Sequence, residues 1–193
     1  VYIIAVSDNA IEQLSNDFPF KNQLVVHTSR SISMRFLNAK NRRGVFYPLQ
    51  TFSKTAAVDF KNVPICIEST DKNDRNTLKQ IAEALNSPTY FINSEQRQAL
   101  HLTAVFVNNF TNHLYRIAHE LTDKKNLDFE ILKPLILETA KKVQHLSPYM
   151  AQTGPAKRGD KKTIKTHLKD LESYPDYKEL YEQLTKSIQK THG

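Results

Sequence analysis

Five short runs rich in apolar and β-branched residues, Tyr2-Ile-Ile-Ala-Val6, Gln23-Leu-Val-Val-His27, Gly44-Val-Phe-Tyr47, Val63-Pro-Ile-Cys-Ile-Glu68 and Thr89-Tyr-Phe-Ile92, all precede Asn93 in a chain of 193 residues. Nothing like them follows. Continuous apolar runs of this length read as strands covered on both faces, and the polar stretches Ser7-Asp8-Asn9 and Thr28-Ser-Arg-Ser31 end two of them in loops. Between the fourth and fifth runs, Leu78, Ile81, Ala82 and Leu85 share one helical face, and residues 10–14 read as a short helix. Strands alternating with helices predict an α/β sheet.

After Asn93 the hydrophobic period changes. Leu100, Ala104, Val107, Leu114, Ile117 and Leu121 recur at three-or-four spacing, the stripe of one long helix that starts at Ser94-Glu-Gln-Arg97. Asp128 is placed to cap a second helix that buries Leu132, Ile136, Ala140 and Val143, with Pro134 at its regular start or at a kink. Residues 147–160 read as a loop, followed by helices over 163–171 and 175–189, with Ser173 as a cap for the last. The chain therefore reads as α/β plus all-α, with residues 1–93 forming the α/β part and 94–193 the helical part.

Composition narrows the function classes. Apolar residues at 39% and charged residues at 24% suit a packed globular protein rather than a disordered one. No run approaches the roughly 18 uninterrupted apolar residues of a membrane helix, and no export signal opens the chain. With Cys66 as the only cysteine, an internal disulfide and a cysteine metal cluster are excluded, and a reducing cytoplasm is the expected location. The net charge of +7 is concentrated in Arg30, Arg35, Lys40, Arg42 and Arg43, with no acid between Asp17 and Asp59. Such a cluster attracts phosphates, but no nucleic-acid motif and no aromatic-interleaved basic run accompanies it, so nucleic acid is not an expected partner.

No glycine-rich phosphate loop, zinc-protease motif or serine-hydrolase elbow occurs, and glycine stands only at positions 44, 154, 159 and 193. No metal site is expected. The strongest internal signal is the polar side of the long helix, where His101, Asn108, Asn112 and Tyr115 form one row and Asn109, His113 and Arg116 an adjacent one. Three asparagines in five residues cost helix propensity, which suits amides and an imidazole that line a cleft and orient or protonate a substrate. The alternative is that they face solvent or cross-link helices, and His113 is read that way. His27, Ser29 and Gln50 lie at strand ends, where open α/β sheets bind ligands, and Gly154, Pro155 and Arg158 belong to a loop suited to presenting a side chain to a ligand or partner. Phe46 and Phe52 are read as core.

Ile4-Ala-Val-Ser-Asp8, Val25-Val-His-Thr-Ser29, Phe46-Tyr-Pro-Leu-Gln-Thr-Phe52, Asn93-Ser-Glu-Gln-Arg97, His101, Asn109, Gly154-Pro-Ala-Lys-Arg-Gly-Asp160, Thr163 and His167 together resemble a family of Rossmann-like NAD(P)-dependent oxidoreductases. That family carries a helical C-terminal domain of unknown function and is similar to the superfamily of 6-phosphogluconate dehydrogenase and pyrroline-5-carboxylate reductase. The resemblance implies the C-terminal part of a Rossmann-like sheet followed by a helical 6-phosphogluconate dehydrogenase C-terminal-like domain that forms a homodimer. It also implies NADP or NAD as cofactor, a small-molecule substrate in a cleft between the domains, and a first βαβ unit with the glycine fingerprint preceding Val1. On this basis His101 and Asn109 are the catalytic candidates. Ser29, Gln50, Asn108, Asn112, Gly154, Pro155 and Arg158 are assigned to the substrate, and Ser7 and His27 to the cofactor.

The chain departs from the family at informative positions. Ser29-Arg30 replaces the Ser-Gly of relatives, and the lysine that hydroxyacid dehydrogenases place four residues before an asparagine is here Ala104 or Val105. The lysine mechanism is therefore not carried, and His101 is the substitute. A non-catalytic ligand-binding or dimerisation module that keeps the Rossmann-like shell is the competing expectation.

Overall fold

A computed structural model of the chain describes residues 1–52 and 57–193. Five strands form one sheet in the order β1 (Tyr2–Ile4), β2 (Leu24–His27), β3 (Arg42–Pro48), β4 (Ile65–Ser69) and β5 (Thr89–Phe91). β1, β2 and β3 are parallel, β4 runs antiparallel to β3, and β5 is parallel to β4. The residues pair in a simple register, with Val26 beside Gly44 and Gly44 beside Ser69. A Cβ at Gly44 would stand 2.7 Å from the Glu68 carbonyl oxygen, so the β3–β4 approach requires glycine.

The core follows from the two-residue alternation of the strands. Leu24, Val26, Phe46, Ile65 and Ile67 face one side of the sheet, where Leu78 and Ala82 of helix α2 (Lys72–Ala84) cover them. Val25 and Ile4 face the other side with Leu37 and with Ile11 of helix α1 (Ile11–Asp17). All four residues of β2 are buried, as its apolar run predicts. β1 corrects the same expectation. Its Tyr2 and Ile3 are 42% and 46% exposed, and among the described residues β1 pairs with β2 alone. Cys66, 2% exposed in β4, lies between β3 and β5, and burial pushes its thiol up to about 11.

Beyond β5 the described residues are helical. Helix α3 (Ser94–Ala104) begins with a reciprocal cap in which the Asn93 side chain accepts from the Gln96 amide and the Gln96 side chain accepts from the Asn93 amide. A π-helical segment, Val105–Phe110, follows, then helices α4 (Thr111–Asp123), α5 (Lys133–His145), α6 (Pro148–Ala151), α7 (Pro155–Arg158), α8 (Lys161–Asp170) and α9 (Pro175–His192). Two compact units result, Val1–Phe110 and Thr111–Gly193, so α3 and the π segment group with the sheet although their texture is helical.

Within the second unit, Asp128 caps a short 3-10 turn and Pro134 sits in the first turn of α5. The 147–160 stretch is two one-turn helices rather than a loop. Gly154, at φ 103°, starts the second of them, and Gly159, in the left-handed region, ends it. Tyr174, not Ser173, occupies the N-cap of α9. The expected apolar faces are only partly covered. Ile117 is the buried residue of α4, whereas Val143 is 42% exposed.

Candidate functional site

The parallel strands β1, β2 and β3 deliver their carboxyl ends to one edge of the sheet, and the loops that leave them, with α3 and the π segment, enclose a cavity of about 1080 Å3. Its lining comes wholly from the first unit. Of the residues singled out in the sequence, Ser29, Gln50, His101, Asn108 and Asn109 line it. The strand-end rule and the polar helix face thus converge on one place.

The π winding explains why both asparagines reach it. A π turn closes on the fifth residue instead of the fourth, so the wider segment carries Val107, Asn108 and Asn109 together on the cavity side. The straight rows drawn from α-helical spacing are corrected here, since they assume an uninterrupted α-helix. Asn112, His113 and Tyr115 follow in α4, in the second unit, and are not in the lining. Gly154, Pro155 and Arg158 likewise belong to the second unit. Phe52, read as core, is 51% exposed and lines the cavity, whereas Phe46 is core as expected.

His101 makes no side-chain hydrogen bond among the described residues, and burial, then the nearby Arg30 guanidinium, lowers its pKa below the usual imidazole value. The ring lies in the cavity lining, with its titration displaced towards the neutral form. His27, assigned to the cofactor, is fully buried and is not in the lining; its Nδ1 accepts the Ser29 amide at 3.1 Å, and Nε2 has no hydrogen-bond partner within 3.5 Å among the described residues. Burial drives its pKa down to about 4. Ser7 is exposed at the start of a short 3-10 turn and is not in the lining, which instead takes Val6 and Asp8 from that loop.

The device that holds the site together was hidden from local patterns. Arg97, fully buried, pairs with Glu68, and its Nε and Nη2 donate to the carbonyls of Arg30 at 3.2 Å and Ile32 at 2.6 Å. Glu68 also accepts the Ser94 amide at 3.0 Å and the Ser94 hydroxyl at 2.9 Å. One ion pair therefore ties β4, the start of α3 and the 28–32 loop. From the other side, the Asp8 carboxylate accepts the Ser31 hydroxyl at 2.6 Å, a bond that lowers the Asp8 pKa. Ser29 is spent on the same loop, its hydroxyl accepting the amides of Ser31 and Ile32. The one sequence signal for the pair is an arginine inside a helix start, too common to single out.

Among the described residues no group of histidine, cysteine or acidic side chains is arranged to hold a metal ion, and no helix is long and apolar enough to cross a membrane. The basic cluster also resolves. Lys40 donates to the Asn16 and Phe18 carbonyls, Arg42 pairs with Asp74, and Arg43 donates to the Arg35 and Leu37 carbonyls, so these three cations are occupied structurally.

Comparison with known proteins agrees with this architecture. A candidate NADP oxidoreductase from Bacteroides fragilis is 46% identical in sequence, with a TM-score of 0.88 over 98% of this chain and 74% of that one. Protein TM1727 from Thermotoga maritima superposes with a TM-score of 0.81 at 23% identity, over 98% of this chain and 77% of its own. At 10% identity the resemblance to 1-pyrroline-5-carboxylate reductase from Streptococcus pyogenes, with a TM-score of 0.59 over 98% and 76%, is one of fold alone. No curated protein matches the sequence. The sheet is Rossmann-like with a helical remainder, as the sequence resemblance implies. Residues 63–188, well over half of the chain, fit the family described as Domain of unknown function (DUF2520), and to that family the chain belongs.

Proposed function

We propose that the protein is an NAD(P)-dependent oxidoreductase that moves a hydride to or from a small substrate in the strand-end cavity. The observation that carries this reading is the shared lining of His101, which makes no side-chain hydrogen bond among the described residues, with Asn108 and Asn109 at the carboxyl ends of three parallel strands. The similarity to a candidate NADP oxidoreductase supports the cofactor.

The residues present fit one end of such a cofactor. The cavity is roomy enough for a nicotinamide riboside beside a small substrate, whereas no glycine cradle for a pyrophosphate exists among the described residues. Gly44 is sealed against the Glu68 carbonyl, and Gly154 and Gly159 bound a one-turn helix in the second unit. A nicotinamide ring bound there supplies the hydride acceptor or donor. His101 then takes or gives the proton at the substrate's oxygen or nitrogen, and Asn108 and Asn109 fix that atom's orientation. The half-buried Tyr47, whose pKa is raised by burial, remains a neutral donor in the same wall.

The apolar side chains left open in the helical unit, such as Ile131 at 69% and Leu135 at 62% exposed, support a homodimer through that unit. The buried lone thiol of Cys66 suits a cytoplasmic location. Calorimetric titration with NADPH and NADH tests the cofactor, and a screen for NADPH oxidation with His101→Gln and Asn109→Ala tests the roles. Turnover should fall about 10²–10⁴-fold in the His101 variant without loss of fold. Unchanged turnover would refute the assignment. A second reading, a non-catalytic ligand-binding or dimerisation module, is favoured by Ala104 and Val105 standing where the hydroxyacid dehydrogenases carry their lysine, and it gains if neither nucleotide binds.

A further inference from the structure

Among the described residues, one cation of the basic cluster both lacks a side-chain partner and lines the cavity. Lys40, Arg42 and Arg43 are consumed by carbonyls and by Asp74, and Arg35 stands outside the cavity, but Arg30 lines it. Among the described residues the Arg30 side chain makes no hydrogen bond or ion pair, and its guanidinium is felt through space by Asp8, Tyr47 and His101. Its backbone, in contrast, is anchored from several directions. The Arg97 guanidinium grips the carbonyls of Arg30 and Ile32, the preceding amide of Ser29 is held by His27, and the next side chain, Ser31, is held by Asp8.

A long cationic side chain on a fixed backbone, lining a cavity of mixed character and given no internal partner among the described residues, is arranged for an external one. Fixing the loop in advance removes part of the ordering cost of binding. Among the described lining residues the other formal charge, Asp8, already accepts from Ser31 and forms no ion pair with Arg30. The same lining offers neutral groups that can donate hydrogen bonds: the amides of Asn108, Asn109 and Gln50, and the Tyr47 hydroxyl. A guanidinium fork with flanking amides matches two oxygens of one carboxylate or phosphoryl group.

We infer that Arg30 determines specificity in this cavity and that the ligand it selects carries a small oxyanion, a carboxylate or a phosphoryl group. The inference names the substrate class for the site proposed above and rests on the reading of that cavity as the substrate's. Its test is independent of hydride transfer. Malonate, inorganic phosphate and the neutral analogue malonamide are titrated into the protein at constant ionic strength without nucleotide, and binding is read from the Arg30 side-chain Nε–H resonance and by calorimetry.

At least one of the two anions should bind saturably, malonamide should not, and Arg30→Gln should weaken the anion about tenfold or more. Arg30→Lys should retain part of the phosphate affinity, because a point charge survives while the fork does not. Preference for malonate assigns a carboxylate substrate, and preference for phosphate a phosphorylated one. Arg35→Gln removes the same charge from the same segment outside the cavity and should leave binding unchanged. The inference is overturned if neither anion binds, if malonamide binds equally well, or if Arg35→Gln weakens binding as much as Arg30→Gln. Anion binding with no nucleotide binding would keep this inference while removing the oxidoreductase reading, and nucleotide binding without anion binding would do the reverse.

Discussion

Replacing Arg97 by methionine probes the pair that holds the site. The side chains of Arg97 and Glu68 are 1% and 11% exposed, so removing the guanidinium leaves a nearly buried carboxylate without its countercharge. It also strips the donors from the carbonyls of Arg30 and Ile32. Ser94 still gives Glu68 its amide and hydroxyl, which softens the loss without neutralising the charge. Breaking one side of a buried pair costs about 3–5 kcal/mol. In a unit of this size that corresponds to a fall in melting temperature on the order of 10–20 °C. Glu68→Gln removes the stranded charge, so the double variant Glu68→Gln/Arg97→Met should be more stable than the sum of the single losses predicts, by about 1.5–3 kcal/mol. Urea and thermal unfolding of the four proteins measure both quantities. An Arg97→Met loss below about 1 kcal/mol, or additivity within about 0.5 kcal/mol, would refute the claim that this pair clamps the loop.

Gly44→Ala forces a methyl group to within 2.7 Å of the Glu68 carbonyl and 3.1 Å of Val26, and should cost about 1–3 kcal/mol in urea unfolding. Because burial holds the folded-state pKa of His27 at about 4, below the ordinary 6.5, the unfolded chain takes up its proton first. Stability contributed by the neutral ring is therefore complete above pH 6.5 and is lost as pH falls from there towards 4, by roughly 2–4 kcal/mol, and His27→Asn should flatten that part of the stability–pH curve. If His101 acts as a base, kcat/KM should rise with pH through a midpoint below the ordinary histidine value, and His101→Gln should abolish the step. Asn93→Ala removes one half of the reciprocal cap on α3 and should cost about 1 kcal/mol, read by thermal unfolding.

The strands were legible because burial on a sheet leaves a continuous apolar signature, and β2, β4 and α2 sit where their residues indicate. Direction was not legible. Nothing in 42–48 or 65–69 marks β4 as antiparallel to β3, since pairing sense depends on the path of the connection rather than on composition. Half of the site could be read for a similar reason. Ser29, Gln50, His101, Asn108 and Asn109 are polar where the pattern calls for a wall, whereas Arg97 and Glu68 meet across 29 residues of chain and carry no local mark of burial. The asparagines pointed to the cavity even though the helix carrying them is wound differently from the one their spacing assumes.

Cys66 gives the molecule an internal clock. Its thiol is shielded by the strands on either side and pushed up to about 11, so a thiol reagent meets almost no thiolate while β4 stays paired. Labelling must wait for the sheet to open, and with a single cysteine in 193 residues every modified molecule reports the same event. The labelling rate, followed while ligand is added, becomes a measure of how strongly occupation of the cavity closes the middle of the sheet, without any engineered probe.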